Sequence, residues 1–164
     1  MEEFRKIIVA LAFSDYSKGI FNYAAGLALK LDADLTVVHV INSRDVAAVT
    51  TISGMGYEVD EVHYIENVKK ERQKILDGIV KGSSFPTDRI HTIFKVGNPV
   101  DELLTVAVEE KADMIVMGTK GRTDLAHILV GSVAEKVFRR SPVPVISLRD
   151  EKTAERMRQR IHPE

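Results

Sequence analysis

Three glycines and a serine near the end of the chain carry its clearest chemical signal. Gly118 and Gly121 follow the short apolar run Asp113–Met117, and nine residues separate Gly121 from the pair Gly131 and Ser132, where a helical spacing begins. Glycine lets the backbone come close to a ligand, and the N–H groups at a helix N-terminus attract anions. The spacing therefore predicts a phosphate-binding site, with tight turns alone as the alternative interpretation.

Short apolar runs alternate with helical patterns along the chain and must position this motif. Five of these runs are predicted strands: Ile7–Ala12, Leu35–Ile41, Ile90–Val96, Asp113–Met117 and Val143–Leu148. Helical spacings lie between them, and the predicted N-caps are Ser14-Asp15 for the first helix and Asn98 before Pro99 for a later one. This alternation predicts an α/β fold, an open five-stranded parallel sheet with helices on both faces.

The sheet places a binding site independently of the glycines. Ligands of open parallel sheets bind beyond the carboxyl ends of the strands, where the strand order reverses. If the order is 3-2-1-4-5, the first and fourth strands flank that point, so Ala10–Ala12 would face Met117–Gly121. The topology and the glycine spacing thus predict the same site.

Two segments lack a strong periodic pattern. Asn42–Asp60 is rich in Ser, Thr and Gly, and we expect a long loop, either a binding element or a disordered segment. Residues 150–164 are highly charged with a thin apolar stripe, and we expect a frayed tail, with a short surface helix as the alternative. The predicted domain is therefore 1–149, followed by a charged tail.

Composition excludes several classes of function. The formal net charge is −1, so no excess of positive charge recruits nucleic acid or an anionic membrane surface. No cysteine is present, which excludes disulfides, thiol catalysis and cysteine metal sites. The sequence contains no apolar run long enough to span a membrane, and its first residues lack the apolar core of a signal peptide. We expect a cytoplasmic protein.

The sequence contains no recognisable catalytic motif. It has neither the Walker pattern Gly-x4-Gly-Lys-Ser/Thr nor the dinucleotide pattern Gly-x-Gly-x-x-Gly. The five histidines are scattered without metal-ligand spacing, and His39, in a predicted strand, is expected to pack in the core. At most, slow hydrolysis of a bound phosphate compound is expected.

The glycine pattern, followed by Ser-Pro-Val-Pro-Val at 141–145, resembles the nucleotide-binding signature of the universal stress protein family. The resemblance extends from Lys6 to about Leu148. It implies a Rossmann-like sheet of the adenine nucleotide alpha hydrolase type, with ATP as ligand, with or without Mg²⁺. In ATP-binding members the backbone after the second strand meets the adenine, and the glycine motif surrounds the ribose and phosphates. The nucleotide-binding residues so implied are Ala10, Val40, Met117, Gly118, Thr119, Lys120, Gly121, Arg122, Thr123, Gly131, Ser132 and Val133.

One position departs from the family pattern. Nucleotide-binding members usually end the first strand with Pro-x-Asp-x-Ser, whereas here Ala10 and Ala12 replace the proline and the aspartate. The intact glycines favour an ATP-binding regulator of the stress response. Ala12 favours a member that binds no nucleotide and acts as a protein-interaction module. A third hypothesis is a flavoprotein-like adenine-nucleotide domain that acts with a redox partner.

The last predicted strand indicates a partner. Val143–Leu148 contains Pro144, and proline is tolerated in sheets at edges or strand starts. An apolar edge strand invites pairing with another chain unless something covers it. We therefore expect a homodimer through antiparallel pairing of this edge, an arrangement that is common in the family that the chain resembles.

Overall fold

Five strands form one parallel sheet in the computed structural model, which describes residues 3–56, 60–120 and 130–163. The strands are β1 (Lys6–Ala10), β2 (Asp34–Asn42), β3 (Ile90–Gly97), β4 (Met114–Gly118) and β5 (Val145–Leu148). Their order in space is β3-β2-β1-β4-β5, and all neighbouring strands run parallel. The predicted fold class and strand order are confirmed.

Helices cover both faces of this sheet in the described part of the chain. They are α1 (Ser17–Leu31), α2 (Ser43–Gly54), α3 (Glu61–Lys81), α4 (Pro99–Glu109), α5 (Ser132–Arg140) and α6 (Glu151–Ile161). The predicted cap of α4 is confirmed, because Asn98 Oδ1 accepts hydrogen bonds from the backbone N–H groups of Val100 and Asp101 at 3.0 and 3.2 Å.

Each face of the sheet has its own hydrophobic core because successive residues of a strand point to opposite sides. Ile7 and Val9 of β1 pack against α1 and α3, where Phe21 and Leu76 are almost fully buried. Ile8 packs on the opposite side, in the core to which α4 and α5 contribute. The sheet is therefore sandwiched between two helical layers, which fixes the carboxyl ends of its strands.

The expectation of a long loop over Asn42–Asp60 is wrong, because Ser43–Gly54 forms α2. The side chain of Asn42 caps this helix, with Oδ1 accepting from the backbone N–H of Arg44 at 3.0 Å. Val46 and Val49 are its two buried residues. Such a short apolar stripe among Ser and Thr residues produces little helical periodicity, so tertiary contact and the cap stabilise a helix that propensity does not favour.

The expectation of a frayed C-terminal tail is also wrong, and the alternative of a short helix is right. Asp150 caps α6: its Oδ1 accepts from the backbone N–H of Thr153 at 2.9 Å, and its Oδ2 accepts from the Thr153 hydroxyl at 2.7 Å. Thr153 is only 1% exposed, so the first turn of the helix is fixed against the domain. The spacing of apolar residues does not reveal a single buried contact of this kind, so it does not predict this helix.

The start of α1 differs from its predicted position. We expected Ser14-Asp15 to cap this helix, but it begins at Ser17, and Tyr16 at its N-cap position makes no side-chain cap. Phe13 has a left-handed backbone with φ of 55°, and the carbonyl of Ser14 accepts from the N–H of Ser17 at 3.1 Å. The chain therefore makes a separate turn after β1 before the helix starts.

Candidate functional site

A cavity of about 530 Å³ opens at the carboxyl ends of β1, β2 and β4. Ala10 at the end of β1 pairs with Met117 at the end of β4, and both residues line the cavity. Within the sheet, β2 lies next to β1 on one side and β4 lies next to it on the other. The strand order therefore reverses at β1. The cavity therefore lies in the predicted crevice.

The structure brings most of the nucleotide-binding residues implied by the sequence to this cavity. Seven of them line it: Ala10, Val40, Met117, Gly118, Lys120, Ser132 and Val133. Thr119 is buried and lines a smaller neighbouring cavity instead, and Gly131 joins the wall through a backbone hydrogen bond to Thr119. Gly121, Arg122 and Thr123 lie outside the described residues.

Backbone hydrogen bonds connect the end of β4 to β5 and to the start of α5. The N–H of Thr119 donates to the carbonyl of Leu148 at 2.9 Å, and the N–H of Gly131 donates to the carbonyl of Thr119 at 2.6 Å. A Cβ at Gly118 would lie 2.8 Å from Ile20 Cδ1, so α1 packs directly on this backbone. Glycine at 118 therefore leaves room for the end of the Ile20 side chain, which would have to shift to accommodate a larger residue.

The N-terminus of α5 opens onto the cavity. Gly131 occupies its N-cap position and provides no side-chain cap, and Ser132 and Val133 of the first turn both line the cavity. The first N–H groups of a helix have no partner within the helix, and together they carry a partial positive charge. This wall of the cavity is therefore chemically suited to an anion such as a phosphate.

Lys120 lies between the cavity and α6. Its ammonium is 4.0 Å from Asp150 Oδ2, and both side chains are largely buried, with 7% and 16% of their surfaces exposed. Burial acts to raise the pKa of Asp150, but hydrogen bonds from Thr153 and the charge of Lys120 outweigh it, so this pKa lies below its usual range. The pair fixes α6 to the wall of the cavity.

Two residues of the cavity wall were not predicted as site residues from the sequence. His39 is buried, as expected for a core histidine, but it also lines the cavity, as does Arg72 of α3. Arg72 follows Tyr64 and Val68 at intervals of four residues on one face of α3, and all three line the cavity. A cation that continues an apolar stripe at helical spacing is the sequence signal that could have found it.

Acidic groups are scarce around the cavity. Asp45 is the one carboxylate among the described residues that line it. Ala12, which is also on the wall, has no side-chain hydrogen-bond acceptor. Within residues 3–56, 60–120 and 130–163, no three His, Asp or Glu side chains lie close enough together to hold a metal ion. In the same ranges, no helix is sufficiently long and apolar to cross a membrane.

Solved structures of other proteins have the same fold. Hypothetical protein MJ0577 matches with a TM-score of 0.74 and 25% identity, over 92% of this chain and 99% of that one. A universal stress protein in complex with cAMP matches with a TM-score of 0.58 at 24% identity, over 90% of this chain and 98% of that one. The universal stress protein of Archaeoglobus fulgidus in complex with dAMP matches with a TM-score of 0.60 at 23% identity, over 89% and 98%.

Sequence comparison identifies the family. The profile of the Universal stress protein family matches residues 3–149. Universal stress protein YxiE of Bacillus subtilis is 35% identical over 150 residues, which are 89% of this chain and 99% of that protein. Universal stress protein MJ0531 of Methanocaldococcus jannaschii is 32% identical over 149 residues, 91% of this chain and 84% of that protein. The chain therefore belongs to the universal stress protein family.

Proposed function

We propose that this protein binds an adenine nucleotide, with ATP as the expected ligand, and acts as a nucleotide-dependent regulator in the stress response. The observation that carries the proposal is the uncapped N-terminus of α5, which opens onto the same cavity as the apolar residues Val40 and Met117. One cavity thus offers a surface for a base and donors for phosphates. The family members solved with cAMP and dAMP support an adenine nucleotide as the class of ligand.

Each wall of the cavity would have a distinct role in this proposal. The base would lie against Ala10, Val40 and Met117, with its polar edge toward the backbone at Val40. The phosphates would accept hydrogen bonds from the N–H groups of Ser132 and Val133 and from the Ser132 hydroxyl. Lys120 would add positive charge nearby. Where Mg²⁺ accompanies the nucleotide, the phosphates themselves would provide ligands, as is usual for this ion.

Thermal unfolding with and without nucleotide tests the proposal. A ligand present at about 100 times its dissociation constant stabilises the folded state by about 2.7 kcal/mol. For a domain of this size, we expect ATP, with or without Mg²⁺, to raise the midpoint by roughly 5–10 °C. Mass spectrometry of small molecules released from the purified protein identifies any nucleotide that co-purifies.

Two glycine variants make this test specific. Gly131→Val at the N-cap of α5 is expected to abolish the shift, because a side chain there would intrude on the anion-binding wall. Gly78→Val on α3 is the matched control, because a Cβ at that position meets nothing within 4 Å. No shift in the wild-type protein and no co-purified nucleotide would contradict the proposal. That result would favour the second candidate, a protein-interaction module, which the absence of an acceptor at Ala12 supports.

We further propose a homodimer that forms through the free edge of β5. This strand pairs with β4 on one side and ends the sheet on the other. The carbonyls of Pro144 and Leu148 accept hydrogen bonds from the N–H groups of Ile115 and Thr119. Because backbone groups alternate along a strand, those of Ser147 face the open edge. Ser147 is therefore in position to donate to a second copy of the chain.

Light scattering after size-exclusion chromatography tests the dimer. We expect about twice the 18.3 kDa mass of the chain at micromolar concentration. Ser147→Pro removes an outward-facing N–H without removing a hydrogen bond to β4, so it should shift the protein toward the monomer. Ser147→Ala keeps the N–H and should remain dimeric. A monomeric wild-type protein, or a dimer unaffected by the proline, would contradict pairing through this edge.

A further inference from the structure

Lys120 lies in the wall between two cavities. One is the cavity of about 530 Å³ in which the proposed nucleotide would bind, and the other, of about 340 Å³, is bounded by residues of α1 and of the start of α6. Ile20, Gly118 and Lys120 line both cavities, and Lys120 is the charged residue among them. Its ammonium is therefore placed to interact with groups in either cavity.

The contact between Lys120 and Asp150 is an ion pair without a hydrogen bond. The 4.0 Å between Lys120 Nζ and Asp150 Oδ2 exceeds hydrogen-bond distance. Both carboxylate oxygens of Asp150 already accept hydrogen bonds from Thr153, at 2.9 Å from its N–H and at 2.7 Å from its hydroxyl. Asp150 thus balances the charge of the ammonium but does not accept from its three N–H donors. The ammonium would gain hydrogen bonds from an acceptor that approaches it more closely.

A phosphate at the N-terminus of α5 would provide such acceptors near Lys120. The N–H of Gly131, the N-cap residue of α5, donates to the carbonyl of Thr119, which directly precedes Lys120. The start of α5 and the backbone of Lys120 are therefore neighbours. A lysine has a flexible four-carbon stem, so rotation of its side chain can carry the ammonium from one cavity toward the other. A phosphate also offers more negative charge and more acceptor oxygens than a carboxylate.

The attachment of α6 to the domain depends on the same ion pair. Asp150 caps this helix, and Thr153, with which it forms the cap, is the one buried residue of α6. The Asp150 side chain is only 16% exposed, so removal of the Lys120 charge would leave a largely buried carboxylate that is less well compensated. Movement of Lys120 away from Asp150 should therefore weaken the docking of α6.

We infer that Lys120 changes its partner from Asp150 to a phosphate when a nucleotide binds, and that this change loosens α6. The inference rests on the proposed nucleotide site and adds a regulated segment to it. That segment lies outside the family match, because the profile ends at residue 149 and α6 begins at Glu151. The coupling is reciprocal: the nucleotide weakens the docking of α6 by the same factor by which docked α6 weakens nucleotide binding.

Hydrogen–deuterium exchange of the wild-type protein tests the inference. Saturating ATP, with or without Mg²⁺, should raise the exchange rates of the backbone amides of α6 by about 5-fold or more, the lower end of typical coupling between two sites. Adenosine has the same base and sugar but no phosphate, so it should leave these rates unchanged. The amides of the central strand β1 provide the internal reference, because ATP should not accelerate their exchange.

Two variants test whether Lys120 and Asp150 carry the coupling. Asp150→Asn removes the charge but keeps a residue type that caps helices well, so it should bind ATP about 5-fold or more tightly than the wild type does. Lys120→Met should weaken ATP binding by about 10- to 150-fold through the loss of charge-assisted hydrogen bonds, and it should accelerate exchange in α6 without nucleotide. Lys152→Met is the matched control, because Lys152 is an exposed cation of α6. It should behave as the wild type does.

The outcomes separate this inference from the proposed function. ATP binding that leaves exchange in α6 unchanged would overturn the inference and leave the nucleotide site intact. ATP affinity that is equal in the wild type and in folded Asp150→Asn would also overturn it, because the ion pair would then not compete with the phosphate. Absence of ATP binding in the wild type would contradict the proposed function, and the inference would fail with it.

Discussion

Phe21→Ala should lower the free energy of unfolding by about 3–5 kcal/mol, a large part of the stability of a domain of this size. The Phe21 side chain is fully buried on α1, in the core between that helix and β1. Its removal would leave a cavity that the surrounding close-packed residues can fill only in part. Urea unfolding measures the effect, and the thermal midpoint should fall by about 6–20 °C.

Leu29→Ala on the same helix is the control for this prediction. The Leu29 side chain is 45% exposed, so its loss should cost less than about 1 kcal/mol. The comparison also tests the site, because Ile20 of α1 packs on the backbone of Gly118 in the cavity wall. A small effect of Phe21→Ala, or equal effects of the two variants, would show that α1 is not packed on the sheet as described.

Ala12→Asp is expected to tighten nucleotide binding by about 10- to 150-fold. Ala12 lines the cavity and offers no acceptor, whereas the family pattern has an aspartate at this position. A carboxylate there would accept a charge-assisted hydrogen bond from the nucleotide, which is worth about 1.5–3 kcal/mol. Titration calorimetry with ATP and AMP, each with and without Mg²⁺, measures the gain.

Ala12→Asn separates the charge from the shape of the new side chain. Asparagine has nearly the same size and accepts a neutral hydrogen bond, so a gain of only about 2- to 12-fold is expected. Equal affinities for the wild type and both variants would contradict a role for this position in nucleotide binding. A loss of affinity in Ala12→Asp alone would also contradict the prediction, because the new charge would then repel the phosphates instead of accepting a hydrogen bond from the nucleotide.

The sheet could be predicted from the sequence because strong, local patterns encode it. The predicted strands Ile7–Ala12 and Asp113–Met117 overlap β1 and β4, and their almost continuous apolar sequences are typical of strands that are buried on both faces. The helices α2 and α6 were harder to predict because each depends on few buried groups. These are Val46 and Val49 in α2 and the Asp150–Thr153 cap in α6. Such contacts form between segments that are distant in sequence or through single side chains, and periodicity does not report them.

The candidate site, too, could be predicted from the sequence only in part. Glycine spacing and strand order located the cavity between Ala10 and Met117, because both follow from backbone geometry. The spacing of Tyr64, Val68 and Arg72 can be found in the sequence, but the contact of Arg72 with Phe13 could not be predicted from it. Contacts between α3 and the turn after β1 exist only in the folded chain, across a separation of almost 60 residues.

The pairing of β1 with β4 determines when this protein can fold. β1 lies in the middle of the sheet, yet its neighbour Met114–Gly118 is synthesised more than 100 residues later. Closing a loop of this length costs entropy before any contact offsets it, and sheets with such distant pairings fold slowly. The wall formed by Ala10 and Met117 is therefore completed late in translation. Until then one edge of β1 is without its neighbour, and unpaired apolar strand edges of this kind make a folding chain prone to aggregation.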